Sequence, residues 1–154
     1  MEIKEATLQN VPELLSLWKE LMDFHSNLDL FFTRRKEGHN NFKKHLIECI
    51  KSDNACVYLA VEKEEILGYI LAKIQEYPPV FKIENYVEIF DIYIKPSYRR
   101  QKVGENLVKN TIDYFKKKGS FRIEMKVASK NIAGINFWKN QGFDEYIKLM
   151  YFNK

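Results

Sequence analysis

One stretch, Val87 to Gly119, constrains the fold of this 154-residue chain more than any other. It opens on an apolar run, Ile89 to Ile94, rich in β-branched and aromatic residues, which predicts a strand buried on both faces. Lys95 and Pro96 end that strand, because proline cannot donate to a ladder. Val103, Leu107, Val108, Ile112 and Phe115 then fall on one helical stripe, and Gly119 stops the helix. Between strand and helix lies Tyr98-Arg99-Arg100-Gln101-Lys102-Val103-Gly104, a basic turn that feeds directly into a helix N-terminus. Unpaired N–H groups and a partial positive charge make such a terminus suited to phosphate. Gly104 is expected to let a bulky anion approach the backbone.

The strand, the proline and the spacing Arg99-x-x-Lys102-x-Gly104 resemble the pyrophosphate-binding signature of the GNAT superfamily of N-acetyltransferases. In that signature R/Q-x-x-G-x-G/A opens a helix. Lys102 departs from it, standing where the family usually has its first glycine. A second landmark follows, N-x-x-[AG]-x-x-[LF]-[YW]-x-x-x-G-F, filled by Asn131, Gly134, Phe137, Trp138, Gly142 and Phe143. The two motifs stand in the family's order and cover roughly the C-terminal half. The resemblance implies an α/β (α+β) fold, a mixed and mostly antiparallel sheet flanked by about four helices.

Length and composition agree with one domain over residues 1–154: 45% hydrophobic and 30% charged residues describe an ordinary globular chain. No apolar run approaches the ~20 residues of a membrane-spanning helix, and Met1 to Ala6 lacks the apolar centre of a signal peptide. A cytoplasmic protein with no membrane partner is expected. Cys49 and Cys56 form no C-x-x-C pair and read as reduced core thiols. His25, His39 and His45 lack zinc-ligand spacing, so no metal is expected.

Charge is unevenly spread. Residues 95–130 carry 11 Lys/Arg against 3 Asp/Glu, net +8, whereas the remainder has 14 against 18, net −4. A basic patch also suits nucleic acid. The helix stripe from Val103 is a core face, however, and nothing resembles a helix-turn-helix or an RNA-binding aromatic signature. A small phosphorylated ligand fits better.

Around these motifs the chain alternates. Met1 to Ala6 reads as a short strand. Asn10 is placed to cap a helix carrying Val11, Leu14, Leu15, Trp18, Leu21 and Met22. The aromatic segment Phe24 to Phe32 has no clear period. Phe42, Leu46, Ile47 and Ile50 mark a second helix. Val57 to Val61 and Ile66 to Ile74 read as a hairpin closed by Glu62 to Glu65. Gln75 to Glu84 is a loop stiffened by Pro78 and Pro79. Arg122 to Val127 alternates as a strand, Ile132 to Asn140 is a short helix, and Tyr146 to Phe152 reads as a last strand.

The resemblance also implies chemistry: transfer of an acetyl group from acetyl-CoA to a primary amine. The cofactor would lie along Ile92, Tyr93 and Ile94, whose strand bulges away from a parallel neighbour in the family. Its phosphates would meet Arg99, Arg100, Gln101, Lys102, Val103, Gly104 and Glu105, and its other contacts would come from Asn131, Phe137 and Trp138. Glu88 lies eleven positions before Arg99, the offset of the general-base glutamate in the histone-acetylating branch. A carboxylate there can draw a proton from an ammonium. Asp91 is its rival, on the opposite face by strand alternation. Trp138 replaces the family's usual acidic tyrosine, and an indole N–H is no usable acid. Tyr93, Tyr98 or water could serve instead, or the thiolate could leave unprotonated. The net −4 outside the basic segment favours a cationic acceptor, a polyamine or another small amine, or a protein amino group. A homodimer is compatible with this reading. The rival class is a CoA-binding or interaction module on the same fold, without chemistry.

Overall fold

The computed structural model describes residues 1–120 and 122–153. Five strands, β1 (Glu2–Glu5), β2 (Ala55–Glu62), β3 (Glu65–Glu76), β4 (Asn85–Ile94) and β5 (Ile123–Met125), form one sheet in the order β1-β2-β3-β4-β5. Every neighbouring pair is antiparallel except β4 and β5, which run parallel. The helices are α1 (Val11–Leu28), α2 (Gly38–Ile50), α3 (Val103–Lys117) and α4 (Ile132–Asn140). This is the mixed α/β sheet that the sequence led us to expect.

The sheet is covered on both faces, which is why its inner strands are mostly apolar. On one face α1 and α2 pack Leu14, Leu17, Trp18, Phe42 and Leu46 against Leu59, Tyr69, Leu71 and Tyr93. Trp18 and Phe42 stack there at 4.6 Å, an arrangement worth about 0.5–1.5 kcal/mol beyond the area it buries. On the other face α3 and α4 pack Val103, Leu107, Val108, Phe115 and Trp138 against Ile70, Ala72, Val87 and Ile89.

Several boundaries differ from those read in the sequence. The aromatic segment splits: Phe24 to Leu28 is the last part of α1, and Leu30–Phe32 is a short 3-10 turn. Asp29 breaks the helix by turning extended and accepting the Phe31 N–H at 3.0 Å. Asn10 starts α1, but its side chain does not cap it. Asn10 Oδ1 accepts the Thr7 N–H at 2.8 Å, closing the preceding turn. Helix α2 begins at Gly38, four residues before its first buried residue. The β2–β3 turn puts Lys63 and Glu64 at φ of 48° and 68°, the paired left-handed geometry of a tight hairpin, without the usual glycine or asparagine.

The largest correction concerns the end of the chain. Tyr146 to Phe152 joins no strand of the sheet. Its apolar residues are exposed, Leu149 by 96%. Strand β5 is correspondingly short, three residues rather than six.

Candidate functional site

Strand β4 changes character halfway. Val87, Glu88 and Ile89 pair in parallel with Ile123, Glu124 and Met125, and the ladder stops there. On the β3 side, Ala72 faces Ile89 but Leu71 faces Asp91, so Phe90 is an extra residue, a β-bulge. From Phe90 to Ile94 the strand keeps β3 as a partner and none on the β5 side among the described residues. Past Met125 the β5 side of β4 is therefore outside the sheet's ladder among the described residues.

The bulge also reverses the alternation of side chains. Across the ladder, Glu88 pairs with Lys73 and Asp91 with Leu71, both on the α1/α2 face. Glu88 and Asp91 therefore share one face of the sheet, contrary to the expectation of opposite faces. One inserted residue is the whole reason.

The two carboxylates differ in their surroundings. Glu88 accepts a hydrogen bond from Lys126 Nζ at 2.8 Å. Asp91 has no ion-pair or hydrogen-bond partner for its side chain among the described residues, and burial pushes its carboxyl up to about 7. Next to it, Tyr69 is fully buried with a hydroxyl that has no partner among the described residues. Tyr93 is turned to the helices and donates to Glu20 at 2.7 Å. Burial, then that glutamate, hold the Tyr93 hydroxyl up at about 12. Tyr98 donates to Glu65 at 2.7 Å, which raises its pKa too. Both hydroxyl protons are therefore committed elsewhere. Ile92 and Ile94 face the α3 side.

Beyond β4, Pro96–Tyr98 makes a 3-10 turn and the basic loop follows. Arg99 Nε donates to the Ile94 carbonyl at 3.0 Å, and its guanidinium lies 5.8 Å from the Tyr93 ring centroid. Arg100 and Lys102 adopt left-handed φ angles of 59° and 62°. Lys102 thus takes the conformation that glycine adopts freely, at a cost of roughly 1–2 kcal/mol. Arg100, Gln101, Lys102 and Glu105 are exposed, whereas Val103 and Gly104 are buried. The first-turn N–H groups of α3, which have no partner within the helix, lie beside this cationic loop.

Gly104 serves packing rather than open access. A Cβ there would lie 3.1 Å from the Phe137 ring and 3.8 Å from Ile94 Cγ1. The start of α3, the end of β4 and α4 therefore meet at this glycine. Asn131 caps α4 by accepting the Gly134 N–H at 2.9 Å. A Cβ on Gly134 would come within 2.5 Å of the Asn131 side chain, so the motif's asparagine and glycine depend on one another. Trp138 is 5% exposed, edge-on to Phe137 and Phe143, and presents little surface to a ligand. Phe137 is half-buried.

Two features had no signal in the sequence. Asp29, past α1, pairs with Lys130, in the loop before α4, at 2.8 Å. Beside that bridge lies a hollow of about 440 Å³, lined by Ser26 to Leu30 and Lys130. The other is the Glu20–Tyr93 bond, which ties α1 to the open half of β4. Residues so far apart in sequence come together only through the topology.

A family model described as the acetyltransferase (GNAT) family matches residues 14–143. The chain belongs to that family. The GNAT chain is 24% identical over 143 residues to an uncharacterized N-acetyltransferase of Methanocaldococcus jannaschii, a match covering 93% of this chain and 60% of that relative. It is 31% identical over 78 residues to a spermidine N(1)-acetyltransferase of Thermoplasma acidophilum, covering 51% of this chain and 44% of the relative. These matches therefore span less than two-thirds of either relative's length. Among solved structures, a single-site variant of the BH1408 protein from Bacillus halodurans superposes with a TM-score of 0.90 at 22% identity, covering 100% of this chain and 99% of that one. AAC(6')-Iy, in complex with a bisubstrate analogue of CoA and acetylneamine, superposes with a TM-score of 0.78 at 18% identity, covering 99% and 97%. At such identities the structures show a shared fold.

Proposed function

We propose that this chain transfers the acetyl group of acetyl-CoA to a primary amine in the cleft where β4 leaves β5. The observation that carries the reading is the order of features along one wall: a bulge, an unpaired strand edge, then a cationic loop at a helix start. Arg99, Arg100, Gln101, Lys102 and the first-turn N–H groups from Val103 to Glu105 would hold the phosphates. The free edge of Ile92, Tyr93 and Ile94 would hold the amide-bearing arm by strand-like hydrogen bonds, with Phe137 at its side. Trp138 would support that wall from behind, and Asn131 would fix the start of α4. When bound, acetyl-CoA supplies the acetyl group as a thioester.

The chain's own contribution is to take a proton from the amine. Attack forms a C–N bond at the carbonyl carbon and breaks the C–S bond. The nitrogen loses its proton to a carboxylate, and the departing thiolate takes one from solvent. Asp91 fits the proton acceptor better than Glu88. A base works best with a pKa near the operating pH, and Asp91 stands at about 7 with no cation neutralising it. Glu88 is already engaged by Lys126. It is the second candidate, and the two are separated by comparing Asp91→Asn with Glu88→Gln.

For the acceptor, the acidic groups Glu20, Asp23, Asp29, Glu88 and Asp91 belong to α1, its C-terminal end and the same face of β4. That arrangement favours a cation, and similarity to a spermidine acetyltransferase makes a polyamine the first to try. The experiment is thiol release from acetyl-CoA with spermidine, small diamines and an N-terminal peptide amine. Release with one class identifies the acceptor. A rise in melting temperature with acetyl-CoA but no release with any amine would favour the binding module instead.

A further inference from the structure

Tyr69 is the largest side chain with no exposure to solvent, and its hydroxyl has no hydrogen-bond partner among the described residues. Phenylalanine would fill the same space without an unpaired buried hydroxyl, so the oxygen calls for a use. Strand β3 sets Tyr69 opposite Tyr93 and Leu71 opposite Asp91. Tyr69 and Asp91 are therefore diagonal neighbours on the α1/α2 face, a separation that a side chain as long as tyrosine can span. The charge of Asp91 is felt at the Tyr69 hydroxyl, where burial first, then Asp91 and Tyr93, hold the proton in place. Tyr69 can thus donate throughout the neutral range without ionising.

The other polar groups around Asp91 are engaged. From α1, Glu20 accepts from Tyr93 and so takes up that hydroxyl. From α2, His45 Nε2 lies 3.7 Å from Cys49 Sγ, and burial, then Lys73, keep the imidazole neutral. The Cys49 thiol, pushed up to about 11 by burial, is a weak donor that already faces His45. Glu48 is an acceptor whose charge acts on His45 and Cys49. On β3, Lys73 stands opposite Glu88 in the ladder. A lysine beside Asp91 would hold its carboxyl low, whereas burial alone sets it at about 7. On β4, Glu88 is bonded to Lys126. Among the described residues of that face, this leaves the Tyr69 hydroxyl to serve the Asp91 carboxyl.

Given the reading of Asp91 as proton acceptor, on which this rests, we propose that Tyr69 is a positioning residue: its hydroxyl donates to the ionised Asp91 carboxylate and holds it ready for the proton of the amine. That proton passes from the amine nitrogen to Asp91, and the tyrosine keeps its own throughout. Donation to the charged form favours that form, so Tyr69 lowers the pH at which the base becomes available.

The test is Tyr69→Phe, which removes one oxygen and keeps the ring. The Asp91 carboxyl is followed by carboxyl-carbon NMR in the whole chain without substrates, with Asp91→Asn assigning its signal. Wild type should titrate near 7, and Tyr69→Phe should raise that midpoint by about one pH unit. Turnover at saturating acetyl-CoA should follow, roughly tenfold lower below pH 7 and within a few-fold of wild type at pH 9. Melting should agree with wild type at pH 5 and fall below it at pH 9, because the bond exists only with the ionised carboxylate. An equal carboxyl midpoint in both proteins overturns the proposal, as does a melt above wild type at every pH, the mark of an idle buried hydroxyl. A uniform loss of turnover at all pH values overturns it too, since lost packing alone would do that. A carboxyl midpoint that moves while the rate profile stays put supports the bond and overturns Asp91 as the base.

Discussion

The two halves of β4 have nearly the same composition and opposite roles. Asn85 to Ile89 pairs with β3, and its Val87–Ile89 part also pairs with β5, burying Val87 and Ile89 in the α3 core. Phe90 to Ile94 keeps one neighbour, turns Asp91 and Tyr93 to the α1 side, and leaves its other edge free. A single extra residue at Phe90 makes the difference. Below it the strand is structure; above it the strand is a wall with unpaired donors and acceptors. On the proposed reading, function enters where the regular ladder is interrupted.

Losing the side chain that the open half turns into the α1 core should have the largest effect. Tyr93→Ala empties a buried aromatic site and removes the donor to Glu20, at the roughly 3–5 kcal/mol typical of a truncated core aromatic. The melting temperature should fall by roughly 6–20 °C. A near-native melt would mean the α1 face does not depend on this half of the strand.

Next comes the junction above the bulge. Gly104→Ala places a methyl 3.1 Å from the Phe137 ring, and overpacking of this kind costs about 1–3 kcal/mol. The melting temperature should drop even without ligand. Gly104→Glu would therefore disturb the fold as well as the phosphates, so it is the poorer probe of the loop. Lys102→Gly should act in the other direction. Relief of the left-handed backbone should raise stability by about 1 kcal/mol, while acetyl-CoA binds several-fold more weakly for want of a charge. If affinity is unchanged, the lysine is there for other reasons.

The smallest effect is expected below the bulge. Glu88→Gln loses an ion pair with a largely exposed lysine, worth roughly 0–1 kcal/mol, and turnover should change by no more than a few-fold. A loss of a hundredfold would move the base from Asp91 to Glu88.

The sequence announces the strand, the basic loop and α3 plainly, because proline, charge and helical period all change within ten residues. It also announces α4 and its asparagine–glycine pair, though the reason, a cap folded over a missing Cβ, needs coordinates. The bulge is silent. In a run such as Ile89-Phe90-Asp91-Ile92, with one polar residue among apolar ones, no regular alternation marks a change of parity, so alternation alone puts Asp91 on the wrong face. Tyr146 to Phe152 fails for another reason: its composition is that of a strand, but a strand needs an edge to join. Long-range pairs such as Glu20 with Tyr93 leave no local trace at all.

The most direct test of the account is the pH dependence of acetyl transfer in wild type and Asp91→Asn, with the best amine found, at saturating acetyl-CoA. Wild-type turnover should rise through an apparent pKa near 7 as Asp91 loses its proton. Asp91→Asn should lower it roughly 10²- to 10⁴-fold at neutral pH, with the loss shrinking at high pH as free amine accumulates. Stability gives an independent reading of the same group. Its carboxyl is raised by burial from an ordinary value near 3.8, so its contribution is full below that value and lost as pH rises through about 7. Asp91→Asn should therefore melt above wild type at pH 8 and not at pH 4. An unaltered rate profile together with an unaltered stability difference would contradict the claim that the open half of β4 carries the chemistry through Asp91.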